Sequence, residues 1–363
     1  MPVQCHDQFP FEIITSSGKT LIPRIIINNI FVYRPIRSND VHIDSKRRRS
    51  NNIIRRASSC ENNDMELHNA ASNGNLKRTH EAVCRKRELL WKMDSSTGNI
   101  PLHLAVINGH KEVASYLVME YPQGSYTINY SKISPLYLAV RHFPQQYYLE
   151  LIESMLHKLG RDDGLVSYLQ QGKSIIREAI QNNNQEILKT IVKYGPDLMK
   201  HCDEEDLTPL SYAASNGLVN MVGFILERYL KSIKYQNKDK SYPIHKACLG
   251  GHIDILKMFY SKCPNSLLYE DQRGRTVMHL SAKQRCNKLK IVVNYLLTTK
   301  EGMFLLNKKD ENGCTPLDLA ISNGNNEVQI IIKTAINSLD TRPYWKKVIS
   351  LSPTEKELKS FLM

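Results

Sequence analysis

A chain of 363 residues, 41% of them hydrophobic, is long enough to bury a large core as one to three domains or as one repeat array. Its 49 lysines and arginines against 36 acidic residues give a net charge of +13, which favours an acidic protein face, a nucleic acid or an anionic membrane as partner. No run of 18 apolar residues exists, and neither a secretory signal nor a close cysteine pair is present, so we expect a cytoplasmic protein with reduced thiols.

Residues 1–61 show no repeat and form a basic N-terminal extension that we expect to be poorly ordered. Its cationic cluster could serve nuclear import or contact an acidic surface, but like-charge runs of this kind more often form a solvated tail, which is the reading we favour. The cluster consists of Lys46, Arg47, Arg48, Arg49, Arg55 and Arg56. Ser58 follows two arginines and is a candidate phosphorylation site.

From residue 62 to 340 a short motif recurs, with successive copies 34 to 40 residues apart. Five copies have the pattern proline, aliphatic, any two residues, alanine, and they begin at Pro101, Pro135, Pro209, Pro243 and Pro316. Three copies without the proline begin at Glu66, Ile175 and Val277. The sequence therefore predicts about eight related units.

Each motif has the signals of a helix start. Thr208, Ser134 and Thr315 offer an N-cap oxygen directly before a proline, which is well accommodated at the first helical position. About eight residues later a glycine such as Gly109 or Gly217 can take the positive φ that ends a short helix. A second amphipathic segment follows, so each unit is predicted to be a helix pair that must stack on its neighbours.

The motif and its period resemble the ankyrin-repeat family over residues 62–340. The resemblance implies an all-α solenoid whose connecting segments form β-hairpin fingers. The unit around Ile175 departs most, because its proline, histidine and glycine are missing and Asn183 stands where the glycine would be. Longer spacings predict insertions after Tyr147, at 157–167 and at 284–306.

The same resemblance implies that a partner binds to the fingers and to the first helix of each pair. The finger candidates alternate in charge and are Asp203, Glu204, Glu205, Lys238, Lys240, Arg273 and Arg275. The first-helix candidates are Ile107, Asn108, Arg141, His142, Ser215 and Asn216, with Lys283 and Asn323 in equivalent places. Ordinary solubilising charge would give a similar pattern.

Catalytic and metal-binding patterns are missing from the sequence, so we expect neither enzymatic activity nor a cofactor. His103, His245 and His279 recur with the repeat period and are predicted to make the same structural hydrogen bond in each unit. The four carboxylates at 203–206 are expected to lie on an exposed finger tip.

Residues 341–363 form a tail in which Ser352-Pro353-Thr354-Glu355 predicts the start of a short helix. Relaxed proline motifs and the Gly-His junctions resemble plant ankyrin proteins of the accelerated-cell-death type, which implies a scaffold in defence or stress signalling. That type has C-terminal transmembrane helices, which this sequence lacks, so any membrane role would come through a partner. Two alternatives stay open: a membrane-associated signalling subunit, or a nuclear regulator that contacts nucleic acid through the basic segment.

Overall fold

The computed structural model describes residues 65–142, 147–157, 167, 169 and 171–340. The basic cluster, Ser58 and the predicted C-terminal helix lie outside these residues. The described part is helical and contains no β-strand.

Short first helices begin at the predicted motifs and are seven or eight residues long. They are α1 (Glu66–Ser72), α3 (Pro101–Ile107), α5 (Pro135–His142), α7 (Ile175–Gln181), α9 (Pro209–Ser215), α11 (Pro243–Gly250), α13 (Val277–Lys283) and α16 (Pro316–Ser322).

Each first helix is followed by a longer second helix. These are α2 (Leu76–Arg85), α4 (Lys111–Glu120), α6 (Tyr147–His157), α8 (Gln185–Tyr194), α10 (Val219–Arg228), α12 (Ile253–Lys262), α14 (Asn287–Leu296) and α17 (Asn326–Asp340). An additional helix, α15 (Lys300–Phe304), occupies part of the predicted 284–306 insertion.

The predicted helix signals are present in the structure. The hydroxyl oxygens of Ser134 and Thr208 accept hydrogen bonds from backbone N–H groups three residues later, at 3.1 and 3.4 Å. Gly217 has a φ of +70°, and Asn183, which replaces a glycine, has a φ of +52°. Local chemistry therefore accounts for the starts of α5 and α9 and for the ends of α7 and α9.

Neighbouring pairs pack on each other in chain order, and one hydrophobic core runs from Leu67 to Ile332. Each helix pair contributes apolar side chains to this core. A single pair of such short helices has too little apolar surface to be stable alone, so the pairs must stack. Phe259 of α12 is among its largest fully buried side chains.

Histidines join the units. Nδ1 of His103 accepts the N–H of Ile100 at 3.2 Å, so Nε2 carries the proton and donates it to the carbonyl oxygen of Ile133 at 2.9 Å. His245 and His279 make the same pair of bonds, which confirms the predicted structural role. Burial lowers the pKa of each of these histidines, to about 4 in His103.

Finger loops precede the first helices, and five of them span eight residues: 127–134, 201–208, 235–242, 269–276 and 308–315. In each, the backbone N–H of the third residue donates to the carbonyl oxygen four residues later and closes a tight turn, as between Asp203 and Leu207 at 2.9 Å. The sixth residue has a positive φ, which suits Gly274 but is less common for Lys132 or Asp206. The fingers are thus turns without assigned strands in the described part of the chain, and the predicted β-hairpins are not confirmed.

Candidate partner-binding surface

The candidates on the first helices cluster at the last turn of each helix. Ile107 is 41% exposed, and Arg141 and His142 are exposed at the end of α5. The Asn108 side-chain amide donates to Ser72 Oγ of the preceding unit at 3.1 Å, so it also joins two units. These side chains could contact a partner together with the finger loops.

The same position in α9 is more constrained. Asn216 Nδ2 donates to the Tyr212 carbonyl oxygen at 2.9 Å, and Ser215 is partly buried. Both residues help to end α9, so less of their hydrogen-bonding capacity is free for a partner. That they contact a partner stays a prediction.

Two of the charged finger candidates are used inside their own loops. The Asp203 side chain is 5% exposed, and its Oδ1 accepts the N–H groups of Glu205 and Leu207 at 2.9 and 3.0 Å. The Arg275 side chain is 21% exposed and pairs with Asp271 at 2.7 Å. The expected exposed carboxylate at Asp203 is therefore a turn-forming group, and burial raises its pKa.

Two further candidates are paired with side chains of a neighbouring unit. Glu205 pairs with Arg177 at 2.5 Å, and Lys238 pairs with Asp206 at 2.5 Å. The Lys238 pair is open to solvent and contributes little to stability, but it orients both loop tips.

Three finger candidates remain available. Glu204, Lys240 and Arg273 are exposed and make no ion pair within the described residues. Lys283 at the end of α13 is likewise exposed and unpaired among these residues. Among these candidates, the accessible charged side chains are thus one carboxylate, Glu204, followed along the chain by three cations, Lys240, Arg273 and Lys283.

Arg177 was not among the sequence candidates, although it stands at the histidine position of its unit. Its guanidinium lies 4.4 Å from the centre of the Tyr212 ring and also pairs with Asp203 at 3.1 Å. Tyr137, at the same position one unit earlier, donates its hydroxyl to Glu178 at 2.5 Å. Loss of the periodic histidine was the sequence signal that could have pointed to both residues.

Replacing Asp203 with alanine should lower the free energy of unfolding by about 1–2 kcal/mol, because two backbone N–H groups and the Arg177 guanidinium lose an acceptor. Urea unfolding followed by circular dichroism would measure the change. Glu311→Ala, at an exposed position in the 308–315 loop, is the control and should stay within about 0.5 kcal/mol of the parent. Equal losses in both variants would contradict the structural role of Asp203.

Sites for a metal ion or a membrane span were also sought. Within the described ranges, no three histidine, cysteine, aspartate or glutamate side chains come close enough to hold a metal ion. Among the same residues, no helix is both long enough and apolar enough to cross a membrane.

Relatives of known identity match parts of the chain. Protein ACCELERATED CELL DEATH 6 of Arabidopsis thaliana is 31% identical over 157 residues, which are 41% of this chain and 23% of that protein. The probable 26S proteasome regulatory subunit p28 of Saccharomyces cerevisiae is 33% identical over 104 residues, which are 28% of this chain and 41% of that protein. The matches thus span less than half the length of these relatives.

Solved structures and family models agree on the architecture. The crystal structure of the ankyrin repeat domain of Bcl-3 superposes with a TM-score of 0.50 at 20% identity, covering 63% of this chain and 97% of that one, which shows the fold alone. The family model for ankyrin repeats in three copies matches residues 67–166, 136–239 and 244–341, well over half of the chain. The chain therefore belongs to the ankyrin-repeat family.

Proposed function

We propose that this chain is a non-enzymatic scaffold of eight ankyrin units that binds another protein through its finger loops and the ends of its first helices. In this proposal the array occupies residues 62–340, flanked by a basic extension at 1–61 and a tail at 341–363. The observation that supports it most is that some charged residues of the finger loops make contacts within the fold, whereas others stay exposed and have no ion pair among the described residues. Glu204, Lys240 and Arg273 are available.

Family membership supports a protein partner, because repeat arrays of this kind present extended surfaces to other proteins. The available charges support selectivity among partners. A partner with an acidic stretch opposite Lys240, Arg273 and Lys283 gains attraction, whereas a partner with the opposite charge order is repelled.

The biological setting that we propose is plant defence or stress signalling, with the protein acting in the cytoplasm. Its support is the similarity to Protein ACCELERATED CELL DEATH 6, which extends over 41% of this chain. The similarity to a probable proteasome regulatory subunit supports the wider proposal of a scaffold in a protein assembly.

The test is affinity purification from native tissue with the parent chain and with the double charge reversal Lys240→Glu, Arg273→Glu. We expect a specific protein to be captured by the parent and lost from this variant. The matched control is Lys77→Glu with Lys262→Glu, which changes the net charge equally at exposed positions of the second helices and should retain the partner. Equal capture of the partner by all three chains would show that the finger loops are not part of the binding surface.

A further inference from the structure

The last described unit, formed by α16 and α17, exposes a face that the other units bury. In the seven units that another unit follows, the sixth residue of the first helix is at most 1% exposed. These residues are Ala71, Val106, Val140, Ile180, Ala214, Cys248 and Ala282. The sixth residue of α16 is Ile321, and it is 49% exposed.

Contacts between units explain why this position is buried elsewhere. Cys248 Sγ lies 3.3 Å from the Val277 carbonyl oxygen and 3.1 Å from Ser281 Oγ, both in the first helix of the next unit. Ala71 is fully buried although no described unit precedes α1, so the unit that follows supplies the cover. No described unit follows α17, and Ile321 therefore lacks this cover within the described residues.

Leu317 extends the exposed face by one helical turn. The second residues of the other seven first helices are at most 3% exposed, whereas Leu317, the second residue of α16, is only partly buried. Leu317 and Ile321 are four residues apart, so they lie on one side of α16, about 6 Å apart along its axis. We call these two side chains the terminal ridge. The end of a repeat array needs a polar outer face to stay soluble, so an apolar ridge at this end favours a cover.

The sequence beyond α17 contains a segment whose pattern suits this ridge. Ser352-Pro353-Thr354-Glu355 predicts a helix start, and we call residues 353–362, outside the described part of the chain, the tail helix. Its apolar side consists of Leu358, Phe361 and Leu362. Leu358 and Leu362 are four residues apart, as are the two residues of the terminal ridge, so the two sets of side chains match in length.

The opposite side of the tail helix is polar. Lys356 and Ser360 lie there, four residues apart. An internal first helix has a neighbouring unit on both sides, as α11 has α9 and α13, and needs apolar residues facing each of them. A helix with one apolar side and one polar side suits only the end of a stack.

The tail helix is joined to the last unit by a stretch of chain that is long enough to reach the ridge. α17 ends at Asp340 and packs on α16. Residues 341–352 can extend over about 40 Å, which is about four times the length of α16. A tethered segment has an effective concentration in the millimolar range, which favours it over a second copy or a free partner at the same face.

We propose that the tail helix packs on α16 and covers the terminal ridge. Its three apolar side chains take the place of the next unit that the internal units have, and its polar side faces solvent. The chain thus closes this end of its own array, and the finger loops and the ends of the first helices stay open to a partner. The inference does not depend on the identity of that partner.

Hydrogen exchange of the full chain, followed by mass spectrometry, tests the proposal. We expect the amides of residues 357–362 to exchange at least about tenfold faster in Ile321→Asp than in the parent, because a carboxylate in the apolar contact opposes docking of the tail helix. Unchanged exchange in this segment would overturn the proposal.

The matched control is Ile330→Asp, which should leave the exchange of residues 357–362 unchanged. Ile330 is 65% exposed on α17, at the position where Lys189 and Lys257 are exposed in internal units, so it lies outside the stacking face. Equal acceleration in Ile321→Asp and Ile330→Asp would also overturn the proposal.

Substitution in the tail helix gives the converse test. Leu358→Asp should release the tail helix and accelerate exchange in α16, whereas Lys356→Asp, on the polar side, should leave α16 unchanged. This pair leaves the helices of the array unaltered, so it tests the proposal even if Ile321→Asp disturbs the last unit. Equal exchange in α16 for the parent and Leu358→Asp would contradict the proposed contact.

Light scattering separates the other occupants of this face. A parent chain that is dimeric and becomes monomeric in Ile321→Asp, with residues 357–362 unprotected in both, would assign the face to a second copy and overturn the proposal. A monomeric parent chain with residues 357–362 unprotected would leave the face open to a separate partner and would overturn it as well.

Discussion

Replacing Phe259 with alanine should lower the free energy of unfolding by about 4 kcal/mol, the largest effect that we expect from a single substitution in this chain. The Phe259 side chain is fully buried in α12, in the core that α12 shares with the neighbouring helices. The variant loses the transfer free energy of the ring and leaves a cavity that short packed helices can close only in part.

The comparison is Phe304→Ala, which removes the same atoms from a side chain that is 48% exposed. Urea unfolding of both variants, followed by circular dichroism, should show a change of less than about 1 kcal/mol for Phe304→Ala. Hydrogen exchange in Phe259→Ala should accelerate most in α10, α12 and α14, because each unit of a repeat array contacts mainly its neighbours. A loss at Phe259 no greater than the loss at Phe304 would contradict the described core.

Acidification should destabilise the array between pH 6.5 and about pH 4 through its buried histidines. Burial holds the pKa of His103 at about 4, whereas an unfolded histidine has a pKa of about 6.5. Above pH 6.5 both states are neutral and His103 contributes its full stability. Below pH 6.5 the unfolded chain takes up a proton that the folded chain excludes, so the free energy of unfolding falls by about 2 kcal/mol at pH 5 and by about 3 kcal/mol at pH 4.

The variant His103→Gln isolates this effect. Urea unfolding at pH 7 and pH 5 should show the pH-dependent loss reduced by about 2 kcal/mol relative to the parent, even though the variant is less stable at pH 7. In Asp239 and Asp271 burial acts to raise the pKa, but hydrogen bonds and an ion pair outweigh it and hold the pKa below its usual value. Protonation of Asp239 and Asp271 therefore lowers the free energy of unfolding mainly below pH 4. If His103→Gln lost as much stability between pH 7 and pH 5 as the parent, His103 would be excluded as the titrating group.

His103 and Arg177 have the same place in the motif but connect neighbouring units in different ways. Where the periodic histidine is present, its Nε2–H donates to a carbonyl oxygen of the next finger loop, as from His103 to Ile133. Where Arg177 replaces it, charged pairs to Asp203 and Glu205 make the connection instead. The connection between units is therefore kept where the histidine is lost, but by ion pairs instead of an imidazole hydrogen bond.

The helix pairs, their caps and the histidine hydrogen bonds could be derived from the sequence alone. Each depends on residues a few positions apart, such as Thr208 before Pro209, or on a group that recurs once per unit, such as His103 and His245. These signals can be recognised in the sequence because they recur in unit after unit, and each unit packs against similar neighbouring units.

The accessibility of the finger charges was decided only by the tertiary structure. Asp203 and Glu204 are adjacent in the chain, yet the Asp203 side chain is buried beneath Arg177, which lies 26 residues earlier, while Glu204 stays exposed. Whether a charge is available to a partner depends on which side chain of the neighbouring unit reaches it. That contact forms only when the units stack, so it cannot be predicted from the local sequence around Asp203 and Glu204.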